Sequence, residues 1–161
     1  MIELLVLSSS RTLEQSMQYK VFLQQQHECP FCTPQQQTRS ILESRLSFLT
    51  YNIAPYHAHH LLVIPKRHYE HILDLTQAEQ RDVLGLIDRG MKLLQALGYP
   101  DITLLLREGE HSGKSVKHLH YHLIPKILIG DVQHDGGSRS VLTEKQVLHL
   151  KQELQEAAKD L

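Results

Sequence analysis

The chain has no tryptophan, no long apolar run and no excess of charge of either sign. The last two absences limit the kinds of function that it can have. No stretch of the 161 residues approaches the roughly 20 apolar residues that a transmembrane helix needs. Residues 1–10 contain an acidic residue and lack the basic start and long apolar core of a signal peptide. We therefore expect one cytoplasmic domain over residues 1–161, without a membrane partner.

The charge balance and the small number of cysteines exclude two further classes of protein, namely those that bind nucleic-acid polymers and those held together by a disulfide framework. The 17 basic and 18 acidic residues leave a net charge of −1, so nothing draws the chain as a whole toward a nucleic-acid polymer. The only two cysteines, Cys29 and Cys32, are too few for a disulfide framework. Their C-x-x-C spacing indicates a reducing compartment and either a metal site or a redox pair.

Histidine is abundant by contrast, with twelve in the chain. Three of them alternate at His118, His120 and His122, among β-branched and aromatic neighbours that favour a strand. Strand side chains alternate between faces, so we predict that all three imidazoles emerge on one side. Like charges this close depress one another's pKa, which favours metal ligands or a nucleophile with its partners. The residues expected on the opposite, core-facing side are Leu119, Tyr121 and Leu123.

The remaining patterns predict an α+β fold with an antiparallel sheet. A capping box at Thr76 begins a long helix that ends near Gly98, and a second capping box at Thr143 begins a C-terminal amphipathic helix. A helix is expected near the N-terminus, where Leu13, Met17 and Val21 recur at spacings of four, and residues 127–141 are expected to form a long excursion. Strands are expected at residues 39–51 (two strands), at 60–65, at 101–107 and at the three histidines.

Two short motifs have competing interpretations. The loop Gly109-Glu-His-Ser-Gly113-Lys-Ser115 is not a P-loop, because three residues instead of four separate its glycines and a strand follows it. Such a loop can still present backbone amides to an anion. A redox role for the C-x-x-C pair would need a helix after it, and Thr33-Pro34 is a poor helix start. Zinc is favoured, because two thiolates and two imidazoles form a tetrahedral site.

The segment His118-Leu-His-Tyr-His-Leu-Ile124 resembles the alternating His-φ signature (φ, apolar) of the histidine triad superfamily of nucleotide hydrolases and transferases. Upstream, Asn52-Ile-Ala-Pro55 and His60-Leu-Leu-Val-Ile-Pro-Lys-Arg-His68 resemble the superfamily's second block in order and spacing. The segment Gly113-Lys-Ser-Val-Lys-His118 resembles its approach to the triad, and the C-x-x-C pair is similar to that of its zinc-containing, mostly bacterial branch.

The resemblance extends from Cys29 to Lys126, which we take as the core of the domain, and leaves residues 1–28 and 127–161 uncovered. It implies a five-stranded antiparallel sheet with one long inserted helix and a C-terminal helix. It also implies a homodimer that acts on a small-molecule nucleotide.

By this resemblance, His120 is the nucleophile that attacks an α-phosphate, and His122 orients it. His60 lies beside the phosphate, Ser115 binds the phosphate or the leaving group, and Asn52 binds the ribose. Independently of the family, neutral imidazole is a good nucleophile near pH 7, and a neighbour that accepts its other proton fixes which nitrogen attacks.

The same resemblance gives His118 to a zinc site together with Cys29, Cys32 and His68. Four protein ligands leave no open position on the metal, so the zinc is expected to be structural.

Two positions depart from the superfamily's pattern. Lys114 stands where glutamine is usual, and Arg107 stands where many members have asparagine. Both cations flank the loop before the nucleophile, so we expect them to contact a phosphate chain. Two alternatives stay open: a zinc-dependent hydrolase that uses the three histidines as catalytic ligands, and a nucleotide-binding module without activity.

Overall fold

A computed structural model describes residues 18–34, 38–128 and 140–159, and it has the predicted α+β fold. Within these described ranges there are three helices, five strands and two short 3₁₀ turns. In chain order the elements are α1 (Tyr19–Gln24), β1 (Ser40–Glu43), β2 (Ser47–Tyr51), β3 (Leu61–Pro65), α2 (Gln77–Ala96), β4 (Ile102–Leu106), β5 (Tyr121–Pro125) and α3 (Glu144–Ala157). None of the described helices is long and apolar enough to cross a bilayer.

The five strands form one antiparallel sheet in the order β1-β2-β3-β5-β4. β3 and β5 are neighbours although α2 and β4 separate them in sequence, so the segment that carries the histidines lies near the centre of the sheet. Leu62 on β3 and Leu105 on β4 both lie opposite His122. The predicted number of strands and their antiparallel pairing are thus confirmed.

The two faces of the sheet have different neighbours. Alternate residues of the central strands, such as Leu49, Val63 and Leu123, join the main core with the apolar side of α2. Residues one position away, such as Leu62, form a second cluster on the opposite face. Because α2 covers the first face, the second face is where a ligand site can be built.

The long helix α2 begins as the sequence predicts. Thr76 accepts a hydrogen bond from the Glu79 amide, and the Glu79 carboxylate accepts one from the Thr76 amide. Glu79 is nearly fully buried, and it also accepts the Tyr69 hydroxyl at 2.9 Å. Burial alone would raise its pKa, but these hydrogen bonds and the charge of Arg67 hold the pKa of Glu79 below its usual value. The Tyr69 carbonyl in turn accepts the Leu119 amide at 2.6 Å, which fastens the start of α2 to the histidine segment.

The strand predicted at the three histidines is shorter than expected. β5 begins at Tyr121, so of the three histidines only His122 lies within a strand, while His118 and His120 lie in the segment before it. The reason is that the Leu119 amide bonds to the Tyr69 carbonyl instead of to a neighbouring strand. The predicted core-facing residues do enter the main core, and they are Leu119, Tyr121 and Leu123.

The terminal segments are described only in part. The predicted N-terminal helix is present around Val21 as α1, whereas Leu13 and Met17 of the same pattern lie outside the described residues. Most of the predicted excursion over residues 127–141 also lies outside them. The division into a core at 29–126 and two flanking segments stays a prediction.

Candidate active site and metal cluster

A cleft of about 220 Å³ opens on the sheet face away from α2. Its floor contains Leu62 of β3 and the rings of His120 and His122, and α1 forms one wall. Most of its other lining groups are aromatic, polar or cationic. They include Tyr19, Phe22, Phe31, Arg39, Asn52, Tyr56, Arg107, Gly113 and Ser115.

The ring of His120 is held in one tautomer by the main chain. His120 Nδ1 lies 2.6 Å from the carbonyl oxygen of His118, and a carbonyl can only accept, so Nδ1 carries the proton. The neutral ring therefore has its lone pair on Nε2. Burial lowers the pKa of His120 to about 4, and the charges of Lys114 and Arg107 add to this. The ring is thus neutral near pH 7, mainly because it is buried and not because of its histidine neighbours.

A second pair of rings fixes the tautomer of His122. The Tyr56 amide donates to His60 Nδ1 at 3.2 Å, and the Asn52 side-chain nitrogen lies 3.3 Å from the same atom. His60 Nδ1 is therefore an acceptor, so a neutral His60 donates from Nε2 to His122 Nδ1, 2.9 Å away. It follows that a neutral His122 carries its own proton on Nε2. Its ring lies 4.8 Å from that of His120, between ring centroids.

The partner of His120 differs from the sequence-based expectation. We expected His122 to accept the hydrogen bond from the ring N–H of His120, whereas the acceptor is the His118 carbonyl. His122 contacts the edge of the His120 ring instead, with an interplanar angle of 68°. It therefore presents a donor to the same cleft as His120 and does not take its proton.

The four side chains predicted as metal ligands converge. One ligand atom from each of Cys29, Cys32, His68 and His118 lies within 4.8 Å of the others. His118 Nε2 donates to the Pro65 carbonyl at 3.0 Å, so its Nδ1 lone pair faces the thiols.

The spacing of this cluster suits zinc. His118 Nδ1 is 3.4 and 3.5 Å from the sulfurs of Cys29 and Cys32, and His68 Nδ1 is 3.3 Å from Cys32. Ligand distances of about 2.3 Å for sulfur and 2.0 Å for nitrogen at a tetrahedral angle give a nitrogen–sulfur separation of about 3.5 Å. Partial burial and the Cys29 thiol raise the pKa of Cys32 to about 11, and a divalent cation would offset this by stabilising both thiolates.

The two cations that depart from the superfamily's pattern lie in different places. Arg107 lines the cleft, with Nη1 donating to the Gly113 carbonyl at 2.8 Å and Nη2 lying 3.4 Å from the Tyr56 hydroxyl. Lys114 instead donates to the main-chain carbonyl of Glu70, in a separate depression. Of these two, only Arg107 is thus placed to contact a ligand in the cleft.

Several cleft residues were missed by sequence reasoning, among them Phe31 and Tyr19. Phe31 lies inside the C-x-x-C turn, with its ring centroid 5.1 Å from that of His120 and 5.8 Å from that of His118. An aromatic residue between two metal-binding cysteines is a signal that could have identified it. Tyr19 reaches the cleft from α1, and its hydroxyl lies 2.9 Å from Ser115 Oγ. No local pattern marks Tyr19, because its partner is 96 positions away.

Comparison with known proteins gives a consistent result. The family model described as the HIT domain matches residues 33–127. An adenosine 5'-monophosphoramidase of Schizosaccharomyces pombe is 34% identical over 86 residues, which are 53% of this chain and 62% of that protein. A bis(5'-adenosyl)-triphosphatase of Dictyostelium discoideum is 32% identical over 91 residues, which are 56% of this chain and 61% of that protein. The chain thus spans about three fifths of the length of these relatives.

A solved structure shares the fold. The crystal structure of a zinc-bound histidine triad family protein from Mycobacterium smegmatis superposes with a TM-score of 0.56 and 19% identity. The match covers 90% of this chain and 94% of that one. At this identity the likeness concerns the fold alone.

Proposed function

This chain belongs to the HIT domain family, and from that premise we propose that it is a nucleotide hydrolase or nucleotidyl transferase. It cleaves a nucleotide conjugate at the α-phosphate through a nucleotidyl-histidine intermediate. The conjugate is a dinucleoside polyphosphate or a phosphoramidate, the classes named for the two relatives above. The observation that carries the proposal is the 2.6 Å distance between His120 Nδ1 and the His118 carbonyl oxygen, from which we infer that Nε2 is the nucleophilic atom.

The first step forms a bond between His120 Nε2 and the α-phosphorus. The bond from phosphorus to the leaving group breaks, and its electron pair goes to the leaving group. The proton stays on Nδ1 and is donated to the His118 carbonyl oxygen, which stabilises the positive charge that the ring gains. In the second step, the oxygen of water or of another hydroxyl acceptor bonds to the phosphorus and the bond from phosphorus to Nε2 breaks. The electron pair of that bond returns to His120 Nε2, and the acceptor's proton passes to solvent.

The surrounding groups support this chemistry through charge and hydrogen bonding. His122 offers its Nε2 proton to a phosphoryl oxygen, because His60 supplies a donor to its other nitrogen. Arg107 adds a positive charge held by Gly113. Donors fixed before the reaction stabilise developing negative charge without reorganising, which is why such placement lowers the barrier.

Asn52 and Ser115 are proposed to contact the substrate directly. Asn52 Oδ1 accepts the Ala54 amide at 2.9 Å and keeps a second lone pair for a ribose hydroxyl. Ser115 lies in the loop at the edge of the cleft and is exposed, so its hydroxyl can reach the leaving group.

The metal cluster is proposed to hold a structural zinc on Cys29, Cys32, His68 and His118. Bound there, the ion would fix the C-x-x-C turn to the histidine segment and supply no open coordination position. Among the described residues this is the one metal-competent group of histidine, cysteine and carboxylate side chains, and it omits His120 and His122. That separation argues against the alternative in which all three histidines bind one catalytic metal.

Two further expectations join the proposal. β4 lies at an edge of the sheet and exposes Leu104, which supports a homodimer at that edge. The two cysteines are free thiols at the metal cluster, which supports a reducing compartment such as the cytoplasm.

The experiment mixes the protein with phosphoramidates and dinucleoside polyphosphates labelled at the α-phosphate, then quenches the reaction. We expect label on the protein that is labile to acid and stable to alkali, together with a labelled mononucleotide product. His120→Ala should abolish both, while His122→Asn should be less impaired. His149→Ala, which removes an exposed histidine on α3, is the matched control. Full turnover by His120→Ala would refute the mechanism, and binding without turnover by the wild type would favour the module without activity.

A further inference from the structure

The short helix α1 brings an aromatic side chain to the edge of the cleft. Tyr19 is 8% exposed, and its hydroxyl oxygen lies 2.9 Å from Ser115 Oγ. Its ring is stacked on that of Phe22, with 6.2 Å between centroids and an interplanar angle of 14°. Tyr19, Phe22 and Ser115 all line the cleft, so the contact lies within the proposed substrate site.

The chemistry of the two hydroxyls favours one direction for this hydrogen bond. A phenol O–H is more polarised than the alcohol O–H of a serine, so it is the better hydrogen-bond donor. When Tyr19 donates, one lone pair of Ser115 Oγ is occupied and the serine proton points elsewhere. Because Ser115 is exposed at the cleft, that proton is available to a ligand.

We propose that Tyr19 is a positioning residue, which holds the Ser115 hydroxyl as a hydrogen-bond donor to the leaving group. This inference rests on the proposed function. It adds that the leaving group departs on the side of the cleft where Ser115 lies. As the bond from phosphorus to the leaving atom breaks, its electron pair moves onto that atom. Ser115 then donates to the growing negative charge, and Tyr19 supports Ser115 without giving up its own proton.

Such a role depends on how much charge the leaving atom must carry. Two adenosine 5'-phosphodiesters differ in how far the leaving atom needs such a donor. One has 4-nitrophenol as its leaving group, and the other has phenol. The nitrophenolate stabilises its own charge, whereas the phenolate needs more help from a donor. The quantity to measure is kcat/KM, because it reports the steps up to departure of the first product.

Tyr19→Phe removes the hydroxyl and keeps the ring. We expect kcat/KM for the phenyl ester to fall about 3- to 10-fold, the range of one hydrogen bond, and that for the nitrophenyl ester to fall less than about twofold. The nitrophenyl ester also reports whether the variant is folded. Tyr99→Phe is the matched control, because it loses a hydroxyl bonded to His59 at 2.8 Å outside the cleft.

A double variant tests the route through Ser115. Once Ser115→Ala has removed the acceptor, adding Tyr19→Phe should change kcat/KM by less than about twofold. Equal losses for both esters, additive losses in the double variant, or no loss in Tyr19→Phe would each overturn the inference.

The proposed function can fail separately from this inference. If the wild type gains no label at His120 from the labelled nitrophenyl ester, the proposed function is wrong and the inference falls with it. If it gains the label and Tyr19→Phe behaves as the wild type with both esters, only the role of Tyr19 is wrong.

Discussion

Two glycines in the long helix α2 (Gln77–Ala96) should respond in opposite ways to the same substitution. A methyl group on Gly90 would lie 2.5 Å from Leu49 Cδ1 and 2.6 Å from Leu123 Cδ1, and both leucines are fully buried. Such overpacking costs about 1–3 kcal/mol. Gly85 lies in the same helix, and its methyl would meet no atom of the described residues within 4 Å, apart from the helix backbone around it. Gly→Ala gains about 1 kcal/mol of helix propensity at either position, so the difference between the two variants isolates the packing cost.

We therefore expect Gly85→Ala to unfold at a higher temperature than Gly90→Ala. For a chain of this size 1 kcal/mol corresponds to about 2–4 °C, so the gap should be about 2–12 °C. Circular dichroism or calorimetry is the suitable assay, because the chain has no tryptophan for fluorescence. Equal melting temperatures for the two variants would refute the close packing of α2 on β2 and β5.

Three further predictions concern the site and its support. Elemental analysis should find one zinc per chain, and Cys32→Ala should lower the melting temperature more than it alters the rate of nucleotidyl transfer. NMR detection of ring protons should place the proton of His120 on Nδ1, and finding it on Nε2 would contradict the proposed nucleophilic atom. The pKa of Glu79 is lowered, so the stability it contributes is present above the usual glutamate pKa of about 4.3 and is lost as the pH falls through its folded value. Glu79→Gln should be less stable than wild type at neutral pH, and the gap should narrow on acidification; a gap independent of pH would contradict this.

The parts of the fold that depend on neighbouring residues could be predicted from the sequence. Thr76 and Glu79 are three positions apart, and so are Thr143 and Gln146, and both pairs form the expected capping boxes. The predicted metal site combines side chains that lie far apart in the sequence. Its two cysteines are a local signal, but the pairing with His68 and His118 depended on the family resemblance.

Contacts between distant segments could not be predicted in this way. The hydrogen bond from the Leu119 amide to the Tyr69 carbonyl spans 50 positions, and because of it the expected strand begins only at Tyr121. Any residue can provide these two backbone groups, so no residue type marks them. The same holds for Tyr19, whose role at the cleft follows only from where α1 packs.

The position of Lys114 follows from a turn that the sequence-based expectation left out. Gly113 follows a 3₁₀ turn with φ 77° and ψ 22°, in the left-handed region that favours glycine. Beyond this turn, the side chain of Lys114 donates to the carbonyl of Glu70, outside the cleft that Gly113 and Ser115 line. The expectation considered only the charge of Lys114 and its place beside Ser115.

The middle histidine owes its state to a group that no sequence pattern displays. His118 contributes its side chain to the metal cluster and its carbonyl to His120, so one residue belongs to both centres. The His118 ring is held from its other side by the Pro65 carbonyl at 3.0 Å, which limits how far its backbone can move. A carbonyl displaced by even 1 Å would no longer make a 2.6 Å bond to His120, and that bond would no longer hold the proton on Nδ1. The place of His118 in the predicted metal site and the tautomer of His120 therefore depend on the same local geometry.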